Sequence, residues 1–484
     1  MLDPSDWTSF RALAHRMLDD SLDTLEDGGE RLAWRPVPRA VKAALDEPLP
    51  HDPAPLETVY DDFRAHIEPY SSGNRHARFL AWVQGNGTPS GMLADMLAST
   101  LNANCGGREH AAVYVERTVI GWCREIFGFP ASTTGILTSG TSLANLIAVL
   151  AARRARLGPA VRSDGAGDRR LVAYTSRHAH ACVASAFDIC GLGERALRRI
   201  GVDTDYRIDI DELRATIARD RVAGVEPFAV IATAGSVDTG AIDDLDALAD
   251  LCADQDLWLH VDGAFGTLAM LTPAYRPRLR GIERADSLAF DFHKWLHVPY
   301  DAACVLVRDG SIHRATFAHD AAYLSRATEG TAAGDPWFCD FGPELSRRFR
   351  ALGVWFAFKE HGTHRLGATI ERNCRQATMV ADLIETTSEL RLAAPVSLNI
   401  VCFRFEHGDA SRETRDAMNA AIAVDLQVRG TAVVSTTRID GRTALRMCIV
   451  NHRVEDDDLR AIIETIVQSG RRIAAEGVTA LPYA

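Results

Sequence analysis

Two apolar runs in this chain each end in residues able to do chemistry. Leu257-Trp258-Leu259-His260-Val261 runs into Asp262-Gly263-Ala264-Phe265-Gly266, and Ser287-Leu288-Ala289-Phe290 runs into Asp291-Phe292-His293-Lys294-Trp295. A short apolar run that stops at polar residues and glycine reads as a buried strand. If the two strands are neighbours, Asp262 and Lys294 face one pocket. A lysine amine can form a Schiff base, and a carboxylate can keep a heterocyclic nitrogen protonated. Together they are the minimum equipment for pyridoxal-phosphate chemistry.

Lysine usage sharpens this reading. The chain has three lysines, Lys42, Lys294 and Lys359, among 53 lysines and arginines. A chain that writes its cations as arginine but keeps lysine in an apolar setting points to an amine that must lose its proton, which arginine cannot do. The ordinary alternative is a surface lysine whose stem lies along apolar neighbours. Asp262 has its own alternative as a turn residue before Gly263.

Two further segments belong with this pair. Thr138-Ser139-Gly140-Thr141-Ser142-Leu143-Ala144-Asn145-Leu146 passes from a loop into an apolar helix. Small hydroxyl residues at a helix start cap its amides, and the same amides can hold a phosphate. His180, in Arg177-His178-Ala179-His180-Ala181, follows the strand Leu171–Tyr174. It is either a loop residue or a ring that lies against a flat cofactor. Pairing His178 with His180 on a metal lacks acidic or cysteine partners at zinc-like spacing.

The elements that must position these groups are read from periodicity. Amphipathic helices are predicted over 5–30 and 57–70, flanking the proline-rich stretch Pro36 to Pro55, and helical patterning covers 90–128. From about 135 to 310, the runs Leu171–Tyr174, Phe228–Ala232, Leu257–Val261, Ser287–Phe290 and Ala303–Val307 alternate with helical stretches. Such alternation gives an α/β domain with a largely parallel sheet, where ligands sit at strand C-termini. A long helix is expected from Glu344 to Thr386, then strands at Val401–Phe405 and Leu445–Ile449 and a closing helix over Val454–Glu476. No internal repeat or low-complexity tract is present.

Composition bounds the class. The chain has 484 residues, 47% hydrophobic and 24% charged, and a formal charge of −12. This is a globular chain of more than one domain, unsuited to nucleic acid or an anionic membrane surface. Ten scattered cysteines without a CxxC pair read as buried, reduced thiols. Met1 to Trp7 lacks the basic start and apolar core of a signal peptide, and no run reaches transmembrane length, so a cytoplasmic, soluble protein is expected.

With these residues in hand, the chain resembles the pyridoxal-phosphate-dependent group II decarboxylases, the fold-type-I family of aromatic amino acid, glutamate and histidine decarboxylases. The motifs are MLADML at 92–97, TSGTSLANL at 138–146, HVDGAFG at 260–266, DFHKWL at 291–296 and RRFRALG at 347–353, and the resemblance runs from about residue 57 to 455. It implies an N-terminal helical arm (1–85), a large cofactor-binding domain (86–355) with a mostly parallel, seven-stranded-type sheet flanked by helices, and a small C-terminal α/β domain (356–484). By the same resemblance Lys294 would hold pyridoxal 5'-phosphate as a Schiff base and Asp262 would pair with the ring nitrogen. His180 would stack on one face of the ring and Ala264 on the other. Gly140, Thr141 and Ser142 would wrap the phosphate, helped by His293 and Ser236. Asp291 stands where animal aromatic decarboxylases carry asparagine, an unexpected second anion near the phosphate. Tyr323 matches the tyrosine of a mobile catalytic loop that reaches a neighbouring subunit's site, which implies a homodimer.

The implied activity is decarboxylation of an L-amino acid to its amine, with Tyr323 delivering a proton to the α-carbon. Aldehyde-forming relatives often carry phenylalanine at that position. The segment Arg78 to Pro89, with Trp82, Val83, Gln84 and Asn86, corresponds to a pocket loop, and Ser346 matches a position linked in plant relatives to phenolic substrates. These favour an aromatic or bulky amino acid. Rival readings are oxidative deamination to an aldehyde, carbon–sulfur cleavage, an aminotransferase, and a scaffold without turnover.

Overall fold

The computed structural model describes residues 2–27, 32–319, 325–408 and 410–477. It divides into two units. The larger comprises Val83–Met379 with Ala394–Cys402, the smaller Met1–Trp82, Val380–Ala393 and Phe403–Ala484.

The larger unit is built on seven strands: β1 (Thr134–Thr138), β2 (Leu171–Ser176), β3 (Leu197–Ile200), β4 (Glu226–Thr233), β5 (Trp258–Asp262), β6 (Ser287–Asp291) and β7 (Ala303–Val307). Their order is β1-β7-β6-β5-β4-β2-β3. Strands β3, β2, β4, β5 and β6 run parallel, while β7 is antiparallel to both β6 and β1. Every residue of β2, β6 and β7 is buried, as expected where both faces of a sheet are covered. The helix Thr141–Leu157 packs over β6 and β7 and against the helix Ala181–Ile189.

Several sequence expectations need correction. Thr138 does not leave a loop; it ends β1, whose five residues Thr134–Thr138 were too short and too glycine-broken to register as a strand. β3 escaped because its sequence Leu-Arg-Arg-Ile carries two arginines on an edge strand. Residues 90–128 form two helices, Pro89–Leu101 and Ala111–Phe127, the first ended by left-handed Asn102 (φ 45°). The long helix begins at Ala351 rather than Glu344, and Gly362 (φ 64°, ψ 165°) interrupts it before Thr386.

The smaller unit contains the helices Trp7–Glu26, Arg412–Val428 and Asp456–Glu476. Its sheet, of order β10-β11-β9-β8, consists of β8 (Leu390–Leu392), β9 (Ile400–Phe405), β10 (Ser435–Ile439) and β11 (Arg442–Cys448). The β10–β11 hairpin turns on Asp440 (φ 52°) and Gly441 (φ 71°), the left-handed pair that a two-residue hairpin requires. Leu80 O accepts the Cys448 N–H at 2.8 Å, and Phe79 bridges Val433, so the residues before Trp82 extend this sheet. None of the ten cysteines is in a disulfide, and seven are buried. Among the described residues no helix is long and apolar enough to cross a membrane.

Candidate active site

The ends of β5 and β6 lie side by side, with Asp262 in register with Ala289. The Asp291 N–H donates to Ala264 O at 2.9 Å and the Gly263 N–H to Ala289 O at 2.9 Å, so the two chain reversals are locked together. Beyond β6, one helical turn, Phe292–Trp295, carries His293 and Lys294. Trp295 anchors that turn: it is fully buried and its Nε1 donates to Asn373 Oδ1 at 3.0 Å.

Lys294 has a counter-ion. Its Nζ lies 2.8 Å from Asp291 Oδ2, and its side chain is 22% exposed. Burial pushes the ammonium down, but the Asp291 charge and hydrogen bond, joined by Asp262 and Tyr300, leave it above the ordinary lysine value. Asp291 Oδ1 accepts the Thr141 N–H at 2.8 Å. Gly140, at the start of the helix Thr141–Leu157, has no side chain to cap it, so Asp291 takes the first amide, while the Leu143 and Ala144 N–H groups bond Gly140 O at 3.0 and 3.1 Å. Thr141 Oγ1 is buried without a hydrogen-bond partner.

Asp262 sits in a different environment. Burial pushes its carboxyl up, countered by Lys294, Asn145, His180 and the Ala264 N–H. Asn145 Nδ2 donates to Oδ2 at 3.1 Å and Ala264 N to Oδ1 at 3.3 Å. With its amide nitrogen on the carboxylate, Asn145 turns Oδ1 toward His260 Nε2 at 2.8 Å. That oxygen only accepts, so His260 carries its hydrogen on Nε2 and accepts on Nδ1 from Ser287 Oγ, 2.8 Å away. Ser287 Oγ in turn takes the Trp258 Nε1–H at 2.8 Å. The result is a directed chain from the half-buried Trp258 through the buried Ser287, His260 and Asn145 to Asp262.

The other expected residues are placed as follows. His180 is exposed at the head of the helix Ala181–Ile189, and its Nδ1 accepts the Cys182 N–H at 3.1 Å. His178, the other histidine of that segment, faces Asp238 Oδ2 at 3.0 Å. His293 Nδ1 accepts the Ala302 N–H at 3.1 Å, and burial pushes this ring's proton affinity down. Ser142 is exposed on the first turn of its helix. Ser236 is buried in the turn after β4, its Oγ 2.9 Å from Thr239 Oγ1. Val83 is buried, whereas Trp82 (φ 51°) and Ser346 are exposed. Tyr323 lies outside the described residues. The sequence reading missed Asn145, His260 and Ser287 as site-supporting residues; a polar residue repeating inside each apolar run was the available signal. It also missed Gly85, where a Cβ would stand 1.9 Å from His293 O.

Residues 38–406 match the model of the pyridoxal-dependent decarboxylase conserved domain. The chain belongs to the pyridoxal-dependent decarboxylase family. The decarboxylase is 33% identical over 459 residues to the aromatic-L-amino-acid decarboxylase of Bacillus atrophaeus, covering 92% of this chain and 93% of the relative. It is 32% identical to the L-2,4-diaminobutyrate decarboxylase of Rhizobium meliloti (strain 1021), covering 79% and 75% respectively. Among solved structures it resembles Oryza sativa TDC with PLP and tryptamine, with a TM-score of 0.89, 26% identity, and coverage of 98% of this chain and 100% of that one. The decarboxylase is thus a carboxy-lyase whose cofactor is pyridoxal phosphate. Its residues suit that group: the orphaned Thr141 hydroxyl at a helix start for a phosphate, an amine, and a buried carboxylate held by donors.

Proposed function

We propose that this decarboxylase converts an aromatic or otherwise bulky L-amino acid to its amine. The observation that carries the reading is the convergence, on adjacent strand ends, of a buried-stem lysine with an acid held by a donor chain. Identity to an aromatic-L-amino-acid decarboxylase supports the substrate class.

When bound, pyridoxal phosphate supplies an aldehyde for covalent attachment of an amine and a cationic ring that accepts the electron pair left by departing carbon dioxide. Lys294 would anchor it covalently. Asp262, kept an acceptor by Asn145 and Ala264, would hold the ring-nitrogen proton. His180 and Ala264 would flank the ring. Gly140, Thr141, Ser142, Ser236 and His293 would hold the phosphate. Val83 and Ser346 would contribute to the side-chain pocket. By its resemblance to the family's catalytic tyrosine, Tyr323 would protonate the α-carbon after carbon dioxide leaves, and the working unit would be a homodimer.

The test is a spectrum of the purified enzyme and of Lys294→Ala, followed by a screen of L-amino acids for carbon dioxide and hydrogen peroxide. A visible cofactor band that disappears in the variant, with carbon dioxide released and no peroxide, is expected. Peroxide in proportion to carbon dioxide would instead identify an aldehyde-forming enzyme.

A further inference from the structure

One buried acid in the site has no part in the reaction above. Asp291 is 2% exposed, and its two oxygens are divided. Oδ1 accepts the Thr141 N–H at 2.8 Å, at the helix start suited to a phosphate, and Oδ2 lies 2.8 Å from Lys294 Nζ. One carboxylate thus engages both a phosphate donor and the amine that must become a nucleophile. An ammonium cannot attack an aldehyde. A phosphate arriving on the Thr141 amide meets a like charge, which disfavours the ionised carboxylate.

We propose that Asp291 is a phosphate-triggered proton acceptor for cofactor capture. It holds Lys294 as an ammonium until a phosphate takes the Thr141 amide, then removes the lysine's proton. This rests on Lys294 being the covalent anchor. In the step, one N–H bond of Lys294 breaks and an O–H bond forms on Asp291 Oδ2, so both charges vanish. The freed amine condenses with the cofactor's aldehyde with loss of one water, and nothing is oxidised or reduced.

The surrounding groups leave Asp291 as the acceptor in contact. His293 Nε2 is 3.7 Å from Oδ2, but its Nδ1 accepts from Ala302, so Nε2 already carries hydrogen. Asp301 acts on His293 and favours its protonated form. Asp262 is engaged by Asn145. Tyr300 is held protonated by burial.

The full-length chain, freed of cofactor, is mixed with pyridoxal, which has the aldehyde but no phosphate. Wild type is expected to capture pyridoxal about tenfold faster when inorganic phosphate is added, the change that one unit of lysine proton affinity produces. Asp291→Asn is expected to capture it at a rate phosphate leaves unchanged. Phosphate acceleration that survives in Asp291→Asn overturns the proposal. Lys294→Ala should capture nothing, and capture there would overturn the anchor itself. A second measurement needs no variant, because three lysines give three resolvable 13Cε signals. On binding 4-deoxypyridoxine 5'-phosphate, which lacks the aldehyde, the Lys294 signal should move from ammonium to amine at constant pH. A bound complex in which it stays ammonium overturns the proposal.

Discussion

Asn145 donates its side-chain amide to Asp262 Oδ2 at 3.1 Å from the second turn of the helix Thr141–Leu157, while its Oδ1 accepts from His260 at 2.8 Å. Asn145→Leu keeps the volume and removes both contacts. The buried His260 N–H is then unpaired, at a cost of about 1–3 kcal/mol in unfolding free energy. Asp262 also loses a group that favours its ionised form. Denaturant unfolding should show the first effect. Steady-state kinetics should show the second as a fall in kcat with KM little changed. Asn145→Asp, which sets a second carboxylate against Asp262, should be the more damaging at neutral pH.

Gly85 is a position where no side chain fits. An added Cβ would stand 1.9 Å from His293 O and 2.6 Å from Lys294 O, and both neighbours are backbone. Gly85→Ala must therefore move the segment that carries Lys294. Overpacking of this kind costs about 1–3 kcal/mol. Cofactor affinity of the apoprotein, measured by absorbance titration, should fall in step with stability.

Legibility in the sequence followed the range of the interactions. Lys294 and Asp262 could be paired because each ends its own contiguous apolar run, and parallel neighbours bring such ends together. The helix start at Thr141 was legible from local composition, although β1 before it was not, since its pairing lies with distant β7. The donor chain to Asp262 was hidden for the same reason. Asn145 and His260 are far apart in sequence, and their contact depends on the helix packing over the sheet. Asp291 was flagged as anomalous from its type, but only its two contacts show what it holds. The early start assigned to the long helix failed because Arg347 is drawn inward before that helix begins.

That inward turn makes a further prediction. Arg347 and Glu116 are both fully buried, 2.6 Å apart, and Glu116 Oε1 also accepts the Leu137 N–H at 2.9 Å. Arg347 donates in addition to Cys105 O and Leu137 O. Removing one partner strands a buried charge, so Glu116→Gln or Arg347→Met should each cost about 3–5 kcal/mol. The double variant should cost much less than the sum, because no charge is left unpaired. A double-mutant cycle by denaturant unfolding checks this, and additivity would contradict it.

Acid should weaken the fold through its buried histidines. His260 and His313 are pushed by burial from 6.5 down to about 4. His313 lies between Thr134 Oγ1 and Phe341 O, each at 2.8 Å. Between these two values the unfolded chain binds a proton that the folded chain refuses, so stability is lost as pH falls from 6.5 toward 4. Each histidine accounts for about 3 kcal/mol over that window. Asp243 acts in the opposite sense. Burial raises it from 3.8 to about 6, against the Ile208 and Thr233 N–H donors, so its contribution is lost as pH rises through that range. Two histidines outweigh one carboxyl, giving a net acid loss from these three groups. Substitution separates them: the stability advantage of wild type over His313→Asn should shrink by about 3 kcal/mol from pH 7 to pH 4. Its advantage over Asp243→Asn should instead grow over the same interval. Urea midpoints at several pH values measure both, and gaps that do not move with pH would show that neither group titrates differently on folding.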